Sequence, residues 1–226
     1  MVVSLLALLF LAMSGRHSTT AALDALHYAR SATSLVLPFN QRMLYSRAPS
    51  PPADLAAAVE RAIPTSMDTT DGIVLGGLIY LTHGHLDAAH EAVQRLGTPD
   101  AVYTHALLHR LEGEHVGEAN MRGWSNADYW NDQLGLHPLY PHIRTLVCTS
   151  DTLATLAAAS PRAEAFRAKF LASDAAARPW EASAFLGLCI EGCRQQDVAC
   201  VRFCEIVTLA EVRLLIEGCC ARLQIT

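Results

Sequence analysis

Lysine is nearly missing from this chain: Lys169 is the only one in 226 residues, and the arginines are scattered along the sequence. With a formal net charge of −5, no basic face is available to track a phosphate backbone, which argues against nucleic acid as a partner. Charged residues of both signs make up only 17% against 51% hydrophobic; such a chain buries a core and does not stay disordered. Neither a Walker loop nor a dinucleotide-type glycine fingerprint is present, so no phosphate cradle is expected. Runs of alternating apolar residues are also lacking, which excludes a sheet. No apolar run reaches the ~18 residues needed to span a bilayer. Val2–Met13, broken only by Ser4, has the length of a signal-peptide core, and Ala12-Met13-Ser14 offers small residues for cleavage. No basic residue precedes it, however, and Arg16 follows it. A cytoplasmic protein with an apolar N-terminal helix is the favoured reading; residues 2–14 acting as a signal peptide would send it to the secretory pathway instead.

What the chain has is helix punctuation. Ser50-Pro51-Pro52 opens a helix over Ala53–Ala62, closed by Pro64, and Asp71 is expected to cap Gly72–Thr82. Leu86–Leu96 is amphipathic and ends at Gly97. Thr98-Pro99-Asp100 opens Asp100–Glu112, and after an irregular Gly113–Trp124 stretch Asn126 caps a helix to Leu134. Pro138 and Pro141 mark another entry, Ser160-Pro161 starts a helix through Ala172, Pro179 one through Arg194, and Asp197 caps one reaching about Leu223. The fold class is therefore all-α: a poorly determined segment over residues 1–48, then a single helical domain over 49–226. Short turns imply antiparallel helical hairpins. Gly77-x2-Tyr80-x3-Gly84-x4-Ala89-x3-Val93 has the spacing of a tetratricopeptide hairpin, but Gly84 and Gly113 lie too close for a regular repeat. An irregular tetratricopeptide-like array is expected.

Eight of the ten histidines fall between His83 and His142. Offsets of four and seven put His105, His109 and Glu112 on one helix face. In an up–down–up array, His83, Asp87 and His90 come to the same rim, whereas His137 follows a helix that starts there. Imidazoles with a carboxylate suit zinc, or iron where coordination positions stay open. His105, His109 and Glu112 are thus the metal candidates, and His83, Asp87, His90, Arg110 and His137 the ligand-binding candidates. Arg110 is the expected grip for a small anionic ligand. The alternative is a polar seam in which these groups satisfy one another. Tyr129-Trp130 reads as core rather than a stacking platform.

The ordered segments His83-x2-Leu86-Asp87-x-Ala89-His90, His105-Ala-x2-His109-Arg110-x-Glu112-Gly113, Asn126-Ala127-x-Tyr129-Trp130 and Gly135-x-His137-Pro138 carry a resemblance. They resemble a group of small helical proteins, mostly bacterial, whose hallmark reads W-H-x-I-M-H-R-R-E-x-D…N-A-x-Y-W-F-x-R-x-G-x-H-P. Trp180-x4-Phe185-x2-Leu188-Cys189 and Glu205-Ile206-x2-Leu209 look like that group's C-terminal helices. The likeness runs over roughly residues 75–215 and implies a helical fold but no reaction. Two departures stand out: Tyr103-Thr104 replaces an aromatic pair, and about nine extra residues separate Gly113 from Asn126.

Six of the seven cysteines lie in the last 38 residues. Cys189, Cys193, Cys200 and Cys204 are symmetric about Gln195-Gln196, so Cys193 should face Cys200 and Cys189 should face Cys204. The pattern is similar to the twin Cys-x3-Cys hairpins of mitochondrial intermembrane-space chaperones, which implies disulfide staples. A tetrahedral zinc is a second reading, and buried thiols in a helix seam the favoured one. Taken together, the expectation is a helical scaffold or ligand-binding protein with a His/Asp/Glu/Arg rim, taking a small anionic ligand or a protein partner. The alternatives are a metal-dependent hydrolase or oxidoreductase using that rim, and a purely structural protein.

Overall fold

Capping residues set most of the helix starts. In the computed structural model, residues 26–30, 32, 53–62, 69–114, 123–171 and 179–225 are described, and all regular structure among them is helical. In chain order the helices are α1 (residues 26–30), α2 (Ala53–Ala62), α3 (Thr70–Thr82), α4 (Leu86–Val93), α5 (Pro99–Glu112), α6 (Gly123–Leu134), α7 (Tyr140–Thr149), α8 (Asp151–Ala158), α9 (Pro161–Leu171), α10 (Ala182–Arg194) and α11 (Val198–Leu223). None is long and apolar enough to cross a membrane. Val2–Ser14, Ser50–Pro52, Pro64 and most of the long Gly113–Asn126 stretch lie outside the described residues.

Some caps differ from expectation. The Thr69 hydroxyl, not Asp71, accepts the Gly72 N–H at the start of α3. Asp71 sits in the first turn, where its charge suits the helix dipole. Asn126 lies inside α6, which begins three residues earlier at Gly123. A boundary that proline and glycine do not mark separates α7 from α8: the Ser150 hydroxyl accepts from Leu153 N at 3.3 Å. Asp197 caps α11 as expected, accepting from Cys200 N at 3.0 Å. Its other oxygen accepts from Ser160, the cap of α9, at 2.6 Å, so one carboxylate ties two helix starts together.

Helix α11 organises the packing. Its 26 residues span roughly 39 Å, and buried residues occur on every side of it, as in a helix enclosed by others. It touches α3, α5, α7, α8, α9 and α10. Before it, α3 pairs with α4, α4 with α5, and α5 with α6. At the α3–α4 crossing, a Cβ on Gly77 would meet Val93 Cγ1 at 2.9 Å, which is why a residue without one stands there. The N-terminal turn joins this core: Leu26, Ala29 and Ala32 are buried, and Arg30 pairs with Glu217 of α11 at 2.7 Å.

Candidate metal centre

Thr98-Pro99 starts α5 so that His105 and His109, one turn apart, face α4, which contributes His90. The ring centroids of His90 and His105 are 4.7 Å apart, those of His90 and His109 5.3 Å, and those of His105 and His109 4.8 Å. One nitrogen from each ring lies within 4.8 Å of the others. Nitrogens on a tetrahedral zinc, with bonds of ~2.1 Å, sit about 3.4 Å apart. The rings must therefore close by up to ~1.4 Å around an ion, and half-buried His90 on short α4 is the one placed to turn.

His105 and His109 are both buried, and the Nε2 of each has no hydrogen-bond partner. On the other side of the His109 ring, Nδ1 meets Glu112 Oε2 at 2.5 Å. A carboxylate there fixes the Nδ1–H tautomer and leaves Nε2 with a free lone pair, the usual support of a metal-bound histidine. From α6, Trp130 stacks over His105 at 4.0 Å with the rings 21° from parallel. Burial, with smaller contributions from His109 and His90, pushes His105 down to about 3. Burial and His109 likewise lower His90, against the opposing pull of Glu112, Asp87 and Glu91. Both imidazoles are thereby favoured in the neutral form that binds metals. Asp87 and Glu91 are exposed beside His90 and make the mouth attractive to cations.

The expected candidates fall in different places. Glu112 meets His109 Nδ1, and the histidine whose nitrogen lies close to those of His105 and His109 is His90. An i,i+3 offset puts Glu112 against the Nδ1 edge of His109, while the His90 ring of α4 lies 5.3 Å from the His109 ring. His83 goes elsewhere, with its ring 4.6 Å from that of Tyr28. Arg110 is turned away from the histidines. It is fully buried and ion-paired with Glu211 of α11, because one residue after His109 the helix has turned by ~100° towards the core. His137 donates from Nε2 to Asp100 at 2.9 Å, and its Nδ1 accepts from Leu139 N at 3.2 Å. Trp130 is half-buried and stacked, and Tyr129 is 52% exposed, so the pair is not core. The signal for Trp130 was the helical register: α6 is the neighbour of α5, and its aromatic pair had to meet either the core or the histidine face.

Gly123 brings α6 close enough for that stack. A Cβ there would lie 2.6 Å from Glu112 Cβ and 2.7 Å from His109 O. Since the second contact is backbone, Gly123→Ala is expected to cost about 1–3 kcal/mol and to disturb the His109–Glu112 turn. A urea midpoint shift, with altered Trp130 fluorescence, checks it; an unchanged midpoint would show that α6 can slide.

A second group, Asp71, Asp100 and Cys219, also has its ligand atoms close together. Arg222 already serves as the cation there. Its Nε donates to Asp71 at 2.9 Å, and Nη2 donates to Asp100, beside an open cavity of about 460 Å³. Burial opposes ionisation of Asp100, but His137 and Arg222 outweigh it and hold the carboxyl below its ordinary range. A depressed folded-state value stabilises fully above the unfolded value near 4 and is lost as pH falls through the folded one. The stability gap between wild type and Asp100→Asn is expected to be constant above about pH 5 and to narrow below about pH 4. Denaturation at a series of pH values measures it, and a gap unchanged on acidification would refute the pairing.

All seven cysteines are free thiols. Cys189, Cys200 and Cys204 line the α10–α11 seam, with Gly192 opposite Cys200: a Cβ on Gly192 would lie 2.9 Å from Cys200 Sγ. Cys189 reaches Cys204, Cys200 lies close enough to Cys193 to act on it, and Gly192 makes the tight approach to Cys200. Among the described residues the quartet does not converge as a ligand set. Burial pushes Cys193 up to about 12 and Cys204 up as well, which keeps the protons that zinc would have to displace.

No family model, curated protein or solved structure matches this chain.

Proposed function

We propose that this is a helical metal-binding protein whose His90, His105 and His109 hold one divalent transition metal, zinc before others. Glu112 orients His109, and Trp130 walls the site. The observation that carries this reading is the pair of buried Nε2 atoms, on His105 and His109, that have no partner inside a three-imidazole cluster. Other buried atoms, such as Trp180 Nε1, also lack a partner, but among the described residues only these two lie beside a third imidazole with all three nitrogens close together. Leaving a buried polar atom unpaired costs about 1–3 kcal/mol, and a bound ion removes that cost for both at once. Three imidazoles with no thiolate suit zinc. Iron in a two-histidine, one-carboxylate arrangement is less favoured, because Glu112 is engaged by His109.

Elemental analysis of untagged protein after dialysis against zinc tests the proposal. One zinc per chain is expected, lost in His109→Gln while the circular dichroism stays helical. Protein that takes up no zinc, or that keeps it in His109→Gln, would overturn the reading.

A further inference from the structure

Among the described residues the ligand set is one short of closed. Structural zinc is held by four protein ligands, whereas a zinc that works on something keeps a position for water or substrate. Among the described residues, no fourth histidine, cysteine or carboxylate belongs to the His90–His105–His109 group. The nearest acid, Glu112, is taken up by His109 Nδ1. We infer that the metal keeps one exchangeable position and that this position binds small anions, such as a carboxylate or hydroxide. The inference rests on the metal reading above and goes beyond it.

Charge and access point the same way. Three neutral imidazoles leave the full charge of a divalent ion uncompensated by its ligands, in a site where His105 and His109 are buried and screening is weak. Glu112 supplies a negative charge, but on the far side of the His109 ring from Nε2. An anion on the fourth position therefore gains a charge-to-charge contact, and a water there is acidified. Trp130 closes the His105 side by lying flat on that ring. His90 is half-buried and Asp87 and Glu91, beside it on α4, are exposed, so His90 gives the cluster its side nearest to solvent. Those two acids favour entry of the cation and disfavour bulky polyanions. Small monoanions, which sit on the metal rather than at the mouth, are the class that fits. Arg110, the side chain expected to take an anion, is buried against Glu211; the metal replaces it in that role.

Cobalt(II) separates the possibilities, because its visible bands report coordination number and ligand exchange. The full chain is loaded with cobalt, and azide or acetate is titrated in, with His105→Gln as the control for location. The expected result is a saturable, dialysis-reversible shift of the visible bands that is absent from His105→Gln. Cobalt bound at the histidines with bands indifferent to both anions would overturn the open position while leaving the metal site standing. Failure to bind cobalt or zinc at all would sink the metal reading itself. A strong near-ultraviolet thiolate-to-cobalt band would move the ion to the cysteine seam and overturn both.

Discussion

Glu211→Ala is expected to lower stability by about 3–5 kcal/mol, the cost of leaving one member of a buried ion pair without its partner. Arg110 and Glu211 are both fully buried. The guanidinium donates from Nη1 to Glu211 and, at 3.1 Å, to Thr208, and it lies 5.0 Å from the centre of the Phe185 ring. Tyr103 donates its hydroxyl to the other Glu211 oxygen at 2.7 Å. Burial disfavours the Arg110 charge, but Glu211 outweighs it, and the side chain stays a cation. Removing Glu211 strands that cation and the Tyr103 hydroxyl together. Replacing both charges, as in Arg110→Met with Glu211→Leu, removes the stranded cation but leaves the Tyr103 hydroxyl unpaired, so it should recover part of the loss. Urea midpoints for the single and double variants measure this, with Glu211→Gln as the milder change if the alanine variant does not fold. A single variant losing less than about 1 kcal/mol would mean that water reaches the pair. Since Arg110 faces α11 while His105 and His109 face α4, the double variant is expected to keep its zinc.

That same turn of α5 shows what could be read from sequence and what could not. The face shared by His105 and His109 follows from helical periodicity alone, and it is present. Helix starts at Pro99, Pro161 and Val198 follow from proline and capping residues, which act locally. The division at Ser150 was missed because no glycine or proline announces it; a serine cap before Asp151 is a weaker mark. Roles that depend on which neighbour crosses where were harder. Arg110 has the composition of a ligand grip, and only the position of Glu211, 101 residues later, makes it a core residue. Glu112 has the spacing of a metal ligand, but spacing says nothing of which ring edge it meets. His90 was placed at the rim by topology, yet its membership of the triad depends on the crossing of α4 over α5. For a similar reason Gly192 was not singled out beside Cys200: symmetry about a turn gives pairs of positions, while packing chooses the smallest residue for the closest approach.

The second large effect expected is on zinc affinity, and it is graded. Loss of a supporting partner commonly costs 10–100-fold in metal affinity, so Glu112→Gln should weaken zinc by about that factor. His105→Gln and His109→Gln remove ligands outright and should weaken it by more than about 100-fold. Competition with a chromophoric chelator measures all three. Stability should move differently from affinity, and that separates a metal site from a polar seam. At zinc concentrations 100-fold above its dissociation constant, the wild type should gain about 2.7 kcal/mol over protein in chelator, and the ligand variants should gain almost nothing. In chelator the order is set by the orphaned nitrogen: His105→Phe removes a buried, unpaired Nε2, keeps a ring for Trp130 to stack on, and should leave the metal-free protein no less stable. A histidine serving only the fold would give the opposite result, with stability lost equally in zinc and in chelator. Trp130, stacked on His105, reports the same event optically, since copper bound to that ring should quench its fluorescence in the wild type and not in His105→Gln.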